Sequence, residues 1–315
     1  MVAGRRARVK LDVRRFRVRE SAATTFRMRI AALQFDIRRG DVGRNTKAVE
    51  DGLRRAASEG VSLVVLPEMW PTSFPGPEAD LDAQTKASER AVQTLARLAG
   101  ELKLVVCGSS FGAIDADECG EDEAKPANRW QLFDGARCIA SYDKVHLFTP
   151  MAEHESFAAG CEAPTVIDTR LGRIGGVVCY DLRFPQLTRR LFDANAQLIC
   201  VSAQWPSVRA THWRALVVGF AVINQCFVVA ANRTGVEAVG RRALTLEFPG
   251  NSLVVDPHGV VLAEGAGVDG LVTAEVDLAV AREMRVRVPA AKDQRRDLYA
   301  AWDARNESSV VSGGF

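Results

Sequence analysis

The chain has 315 residues, 47% of them apolar and 25% charged, with a formal net charge of +2. That length buries a large core, as one big α/β domain or two smaller ones. No apolar run reaches the ~20 residues of a membrane-spanning helix, so no membrane partner is expected.

Residues 1–27 carry nine Lys or Arg against Asp12 and Glu20, a net +7 that leaves −5 on the remainder. The basic excess belongs to this leader and not to a nucleic-acid-binding face of the body. The leader lacks the apolar core of a secretory signal and reads as a dispensable, disordered arm; Met28 then opens a strong strand. The seven cysteines are odd in number and scattered, with no Cys-x-x-Cys pair, and the four histidines are spread out. Free thiols in a reducing, cytoplasmic setting are expected, with no structural zinc. With no Walker loop and no Gly-x-Gly-x-x-Gly after a strand, no cofactor is expected.

From Arg29 onward strand and helix alternate. Ile30 to Phe35 reads as a strand and Asn45 to Ser58 as an amphipathic helix with Ala48, Val49, Leu53 and Ala56 inward. Ser62 to Leu66 is a second buried strand, Leu81 to Ala99 a helix facing inward through Val92, Leu95 and Leu98, and Leu102 to Cys107 a third strand. Six acidic residues between Asp115 and Glu123 mark a solvated loop. Asn128 to Phe133 and Arg137 to Tyr142 form a hairpin about Asp134-Gly135.

Ile174 to Val178 is a short strand ending in Cys179, and Phe184 to Asn195 has helical spacing. A strand at Leu198 to Ser202, a helix at Val208 to Gln225 and a strand at Phe227 to Ala231 follow. Strands at Ser252 to Val255, Val260 to Ala263 and Leu271 to Glu275 close the body. No Pro- or Ser-rich linker divides it, so residues 28–300 read as one mixed α/β domain, followed by a tail at 301–315.

Four segments carry chemistry. Cys179 sits at a strand-to-helix turn, where N–H groups at a helix start favour thiolate and an oxyanion. Glu68, in L-P-E-M-W, occupies the C-terminal end of a buried strand, where open α/β sheets place ligands. Lys144 lies in Y-D-K-V-H-L-F, where strand alternation puts Tyr142, Lys144 and His146 on one face. Glu153 and Glu155 follow in E-H-E-S-F-A-A-G. Glu68, Lys144 and Cys179 read as base, cation and nucleophile, since a free thiol of pKa ~8.5 is mostly protonated at neutral pH. The bland readings are a solvated glutamate, a snorkelling lysine and a core cysteine. A Cys-His arrangement with His146 or His212 as base is the rival enzymatic reading.

The order L-P-E, D-K-V-H-L-F and G-G-V-V-C-Y-D-L-R-F-P resembles the nitrilase, or carbon–nitrogen hydrolase, superfamily, over nearly the whole body from Met28 to Tyr299. The resemblance implies a four-layer αββα sandwich, paired into an eight-layer homodimer. It makes Glu68 the general base, Lys144 the oxyanion-stabilising lysine and Cys179 the nucleophile of a thioester mechanism. Glu153, seven residues before Gly160, matches the family's second glutamate, and Glu155 does not. C-Y-D-L-R-F-P and V-S-A-Q-W-P at 201–206 are most similar to the omega-amidase branch, which hydrolyses the terminal amide of small 2-oxo-acid amides such as 2-oxoglutaramate. Amidase action on deaminated glutathione, N-carbamoyl hydrolysis, nitrile hydrolysis and a catalytically silent binding protein are the alternatives. For the substrate carboxylate, Arg183 and Arg209 are candidates, because a guanidinium binds it with two parallel hydrogen bonds. Trp205 and Phe74 are candidate apolar walls, and Tyr180 offers its backbone N–H. The chain departs from the family's R-A-x-E-N helix pattern at Gly219 to Asn224, which reads G-F-A-V-I-N; there it bears on pocket polarity and on pairing.

Overall fold

The structure is a computed structural model that describes residues 27–76, 78–113, 125–239 and 244–310. The leader up to residue 26 and the acidic loop at 115–123 lie outside the described residues. In the first half the order is β1 (Met28–Gln34), α1 (Val42–Ser58), β2 (Val61–Val65), α2 (Leu81–Leu102), β3 (Val105–Gly112), β4 (Ala127–Asp134), β5 (Arg137–Asp143) and α3 (Glu153–Ser156). Then come β6 (Val166–Thr169), β7 (Gly172–Val178), α4 (Pro185–Asp193), β8 (Leu198–Ala203), α5 (Ala210–Asn224) and β9 (Phe227–Asn232). The last part holds β10 (Thr234–Val239), β11 (Leu244–Pro249), β12 (Leu253–Val255), β13 (Val261–Glu264), β14 (Gly270–Val276), α6 (Ala279–Arg287), α7 (Ala290–Asp293) and α8 (Arg296–Val310).

The strands build two six-stranded sheets, ordered β14-β1-β2-β3-β4-β5 and β13-β12-β9-β8-β7-β6. Each has a parallel centre, β1-β2-β3 in one and β7-β8-β9 in the other, flanked by antiparallel strands. Central strands buried on both faces favour apolar or small residues at nearly every position, which is how V-S-L-V-V and G-G-V-V are written. Alternation then sorts them. Leu63 and Val65 join Ile174, Val178, Cys200 and Val229 in the core between the sheets. Val64 turns the other way, onto Val49 and Leu53 of α1 and Leu95 of α2. Val177 packs with Leu191 of α4 and Trp213 and Val217 of α5. Helices, sheet, sheet and helices are therefore the four layers expected.

Where element ends differ from expectation, caps decide. The Asp41 side chain accepts from the Arg44 N–H, so α1 starts at Val42 and not at Asn45. α2 runs through Leu102 to a left-handed Lys103, which delays β3 to Val105. The hairpin at Asp134-Gly135 forms as expected, its glycine at φ +59°. Cys161 corrects the all-thiol expectation: it is disulfide-bonded, whereas Cys107, Cys138, Cys179, Cys200 and Cys226 are free. Cysteine spacing carries no signal of which loops the fold brings together. Among the described residues, no helix is long and apolar enough to cross a membrane.

Directly behind Cys179, Gly175 and Gly176 leave room for close neighbours. What they admit is side chains: a Cβ on Gly176 would lie 2.2 Å from the Trp130 ring of β4, across the sheet interface, and one on Gly175 would lie 2.7 Å from Leu191 Cδ2. The indole thus replaces the missing side chain and ties the two sheets together beneath the turn. Gly176→Ala is expected to cost about 1–3 kcal/mol through overpacking. Urea denaturation checks this, and an unchanged midpoint would contradict the packing described.

Candidate active site

Glu68 follows β2 in a loop that two left-handed residues fold sharply, Met69 at φ 49° and Ser73 at φ 59°. Such backbone is costly for non-glycine residues and persists only where neighbours fix it. Here the Met69 N–H donates to Ser109 Oγ at 3.0 Å and the Trp70 N–H to the Ser109 carbonyl at 3.1 Å. The Glu68 carboxylate is thereby turned inward and fully buried.

Lys144 comes directly after β5 and is 1% exposed. Its Nζ donates to Glu68 Oε1 at 2.8 Å and to Glu153 at 2.8 and 2.7 Å. Asn128 Nδ2 donates to both carboxylates, at 2.9 Å to Glu68 and 3.2 Å to Glu153. The Phe148 N–H closes the second oxygen of Glu153 at 2.7 Å. Gly160 matters for Lys144 rather than for Glu153. Its N–H holds the Lys144 carbonyl at 2.9 Å, and a Cβ there would lie 2.1 Å from the Asp143 carbonyl oxygen. Glu155 is exposed, so of the two glutamates in that segment only Glu153 enters the site.

Cys179 sits at the C-terminal end of β7 with φ 43°, opening a short 3₁₀ turn to Arg183. Its thiol lies close enough to Glu68 to feel that carboxylate's charge. The turn is strapped by buried Asp181, which accepts from Tyr142 Oη at 2.9 Å, from the His146 N–H at 3.1 Å and from the Val178 N–H at 3.4 Å. His146 Nδ1 lies 2.9 Å from the same carboxylate. This corrects the shared face expected for Tyr142, Lys144 and His146. β5 ends at Asp143, alternation ends with it, and the tyrosine and histidine go to Asp181 while the lysine goes to the glutamates. His146 also stacks on Phe184, and His212 lies against Arg183, so both histidines are engaged elsewhere and the ionisable groups acting on the thiol are Glu68 and Lys144.

The electrostatics follow from burial. Burial raises the Glu68 pKa and Glu153 adds to it, against the pull of Lys144. Burial alone would depress Lys144, but Glu153 and Glu68 outweigh it and keep the ammonium protonated. The Cys179 thiol is pushed well up by burial and then by the Glu68 charge. Burial and the Glu68 charge both act against the thiolate that the N–H groups of the turn would favour. At rest the site holds a thiol, an ammonium and a carboxyl group poised to take a proton.

In front of Cys179 opens a cleft. All five expected lining residues border it: Phe74, Tyr180, Arg183, Trp205 and Arg209. The Arg183 guanidinium lies 5.0 Å over Trp205, and that of Arg209 lies 5.0 Å over Phe148. Arg39, Asn128, Asp181 and Gln204 escaped the sequence reading. Nothing in their local pattern separates them from surface polar residues; only their partners, distant in sequence, do. The divergent segment 219–224 does not border the cleft, which corrects its expected bearing on pocket polarity. Phe220 and Ala221 pack beneath the second sheet, and Ile223 is 68% exposed.

The carbon–nitrogen hydrolase family description matches residues 29–286. The 2-oxoglutaramate amidase of Bacillus subtilis (strain 168) is 35% identical over 271 residues, covering 86% of this chain and 98% of that protein. The human deaminated glutathione amidase is 30% identical, with coverage of 82% and 80%. A variant of the amidase from Nesterenkonia sp. AN1, showing covalent addition of the acetamide moiety of fluoroacetamide at its active-site cysteine, superposes with a TM-score of 0.74. It is 25% identical, and the match covers 87% of this chain and 97% of that one.

Replacing Lys144 by Met leaves two buried carboxylates facing each other. One of them then binds a proton more readily than in the unfolded chain, so its folded pKa exceeds its unfolded value. The deficit against wild type is expected to reach about 3–5 kcal/mol at neutral pH. It shrinks toward pH ~4.3 and grows as pH rises through the raised value. Denaturation curves at several pH values check this; a pH-independent deficit would contradict it.

Proposed function

Because the chain belongs to the carbon–nitrogen hydrolase family, whose members include amidases, we propose that it hydrolyses the terminal amide of a small 2-oxo-acid amide such as 2-oxoglutaramate. The products are the 2-oxo acid and ammonia. The observation that carries this reading is the meeting of Glu68, Lys144 and Cys179 in a cleft that Arg183 and Arg209 also line. The 2-oxoglutaramate amidase relative, matched over nearly its full length, supports the substrate class.

Cys179 Sγ attacks the amide carbonyl carbon while Glu68 takes the thiol proton, as a protonated resting thiol requires. The oxyanion is met by the Lys144 ammonium and by the Tyr180 backbone N–H. Glu153 holds that ammonium in place, and Asn128 holds the two carboxylates that flank it. On collapse the C–N bond breaks, Glu68 passes its proton to the departing nitrogen, and ammonia leaves a thioester on Cys179. Water then attacks the thioester carbonyl, giving its proton to Glu68, and the C–S bond breaks. The thiolate recovers the proton from Glu68 as the 2-oxo acid departs. Arg183 and Arg209 are the groups that hold the carboxylate and the 2-oxo oxygen, with Phe74 and Trp205 as apolar walls.

The test is ammonia release across 2-oxoglutaramate, 2-oxosuccinamate, deaminated glutathione, N-carbamoyl amino acids and simple nitriles. The 2-oxo-acid amides are expected to give the highest kcat/KM. Cys179→Ala and Cys179→Ser are expected to lower it by on the order of 10³-fold or more while remaining folded. Full activity in either variant would refute the nucleophile. Preference for deaminated glutathione would keep the chemistry and move the substrate.

A further inference from the structure

Glu68 is held at two points by one residue outside the triad and at a third by that residue's neighbour. The Gln204 N–H donates to Glu68 Oε2 at 3.0 Å, and Gln204 Nε2 donates to the Glu68 carbonyl at 2.9 Å. Next to Gln204, the Ala203 carbonyl accepts from the Glu68 N–H at 3.4 Å. The side-chain contact works only in one orientation of the Gln204 amide. Turned over, it would present an oxygen to the Glu68 carbonyl and an NH₂ to whatever lies on its far side.

What lies on the far side is Arg233, a fully buried guanidinium that no step of the proposed chemistry uses. Its Nη1 donates to Gln204 Oε1 at 3.0 Å and to Glu237 Oε2 at 2.8 Å. A guanidinium has donors and no acceptor, so it fixes Oε1 toward itself and Nε2 toward Glu68. The Ser73 hydroxyl, in the strained loop that carries Glu68, lies within 3.0–3.2 Å of Arg233 Nη1, Glu237 Oε1 and Gln204 Oε1. Glu237 belongs to β10, and through Oε1 it also takes Arg39 Nη2 at 2.6 Å, at the cleft mouth. The hairpin is seated rigidly where this happens. The Thr234 N–H donates to the Phe35 carbonyl, and a Cβ on Gly235 (φ +98°) would lie 2.1 Å from Asp36 Oδ1.

We propose that Arg233 and Glu237 are positioning residues for the general base: the ion pair at the root of the β10–β11 hairpin orients Gln204, and Gln204 sets the carboxylate of Glu68 against Cys179. The Glu237–Arg39 contact ties the same pair to the residue at the cleft mouth. This rests on Glu68 acting as base. It assigns the hairpin a part in the rate of the chemical steps and little part in substrate affinity.

The experiment compares wild type with Glu237→Gln, Glu237→Asp, Ser73→Ala and Glu68→Gln. Two readouts are taken: kcat and KM on 2-oxoglutaramate, and the pH dependence of Cys179 alkylation by iodoacetamide followed by peptide mass. The alkylation readout needs no substrate, and exposed Cys138 serves as an internal reference. The charged groups acting on the Cys179 thiol are Glu68 from the β2 loop and Lys144 after β5; displacing Glu68 removes a cause of its raised pKa. Glu237→Gln is expected to lower kcat by about 10–100-fold, with KM within about threefold. It is also expected to move the alkylation midpoint down by about half a pH unit or more. Glu237→Asp recovers part of both effects.

A folded Glu237→Gln with wild-type kcat and alkylation profile overturns the proposal. Should that variant not fold, Ser73→Ala leaves every charge in place and carries the same prediction at smaller size, and wild-type behaviour there overturns it equally. Glu68→Gln separates the two layers. If it is inactive while Glu237→Gln is normal, only the positioning role fails; if it is active, the base assignment itself fails.

Discussion

The site depends on one ammonium, that of Lys144, buried between two carboxyl groups. Taking three ionisable groups out of water costs several kcal/mol each, and the arrangement persists only because each hydrogen bond is closed by a specific partner. Glu68 arrives from the end of β2, Lys144 from the end of β5 and Glu153 from α3, while Asn128 of β4 spans both carboxylates. Cys179 comes from the other sheet. The distance between Glu68 and Cys179 is therefore set by the apolar core between the sheets, where the Trp130 ring fills the space above Gly176. Packing and catalysis meet in that one contact.

The same burial decides the chemical strategy. A cysteine paired with a histidinium is stored as thiolate. This one is stored as a thiol, because the neighbouring Glu68 charge and the dry surroundings disfavour a second anion. In the proposed reaction proton transfer accompanies attack, which makes the placement of the Glu68 oxygens more consequential than the intrinsic acidity of the sulfur. It is consistent with this that so many hydrogen bonds converge on Glu68, its loop and its neighbour Gln204, and that Asp181 fixes the strained Cys179 turn from the other side.

Much of this was legible in the chain. Period-2 and period-3.6 patterns located the central strands and the covering helices, because both faces of the sheets are buried and nearly every position there is apolar or small. Glu68, Lys144, Glu153 and Cys179 stood out as polar residues at the ends of such runs, and their order resembles one family. What stayed hidden were residues whose meaning is a partner far away. Asp181 passes for a turn residue until Tyr142 and His146 close on it. Gln204 and Arg233 sit 29 positions apart and meet only through the fold. The β10–β11 hairpin has no long apolar alternation to announce it, and caps at Asp41 and Lys103 shift element ends that periodicity alone cannot place. The depth of burial that opposes a thiolate at Cys179 stayed hidden too, because helix-start dipoles are local whereas burial is a property of the whole fold.

The central claim is that Cys179 becomes acylated by the substrate with Glu68 as its proton acceptor. The most direct measurement is intact-protein and peptide mass spectrometry on enzyme quenched during turnover of 2-oxoglutaramate. The account predicts an added 2-oxoglutaryl group on the Cys179 peptide, formed as ammonia is released and absent from Cys179→Ser and Cys179→Ala at the same time points. Steady ammonia release with no acyl group on Cys179, undiminished in Cys179→Ala, would contradict it.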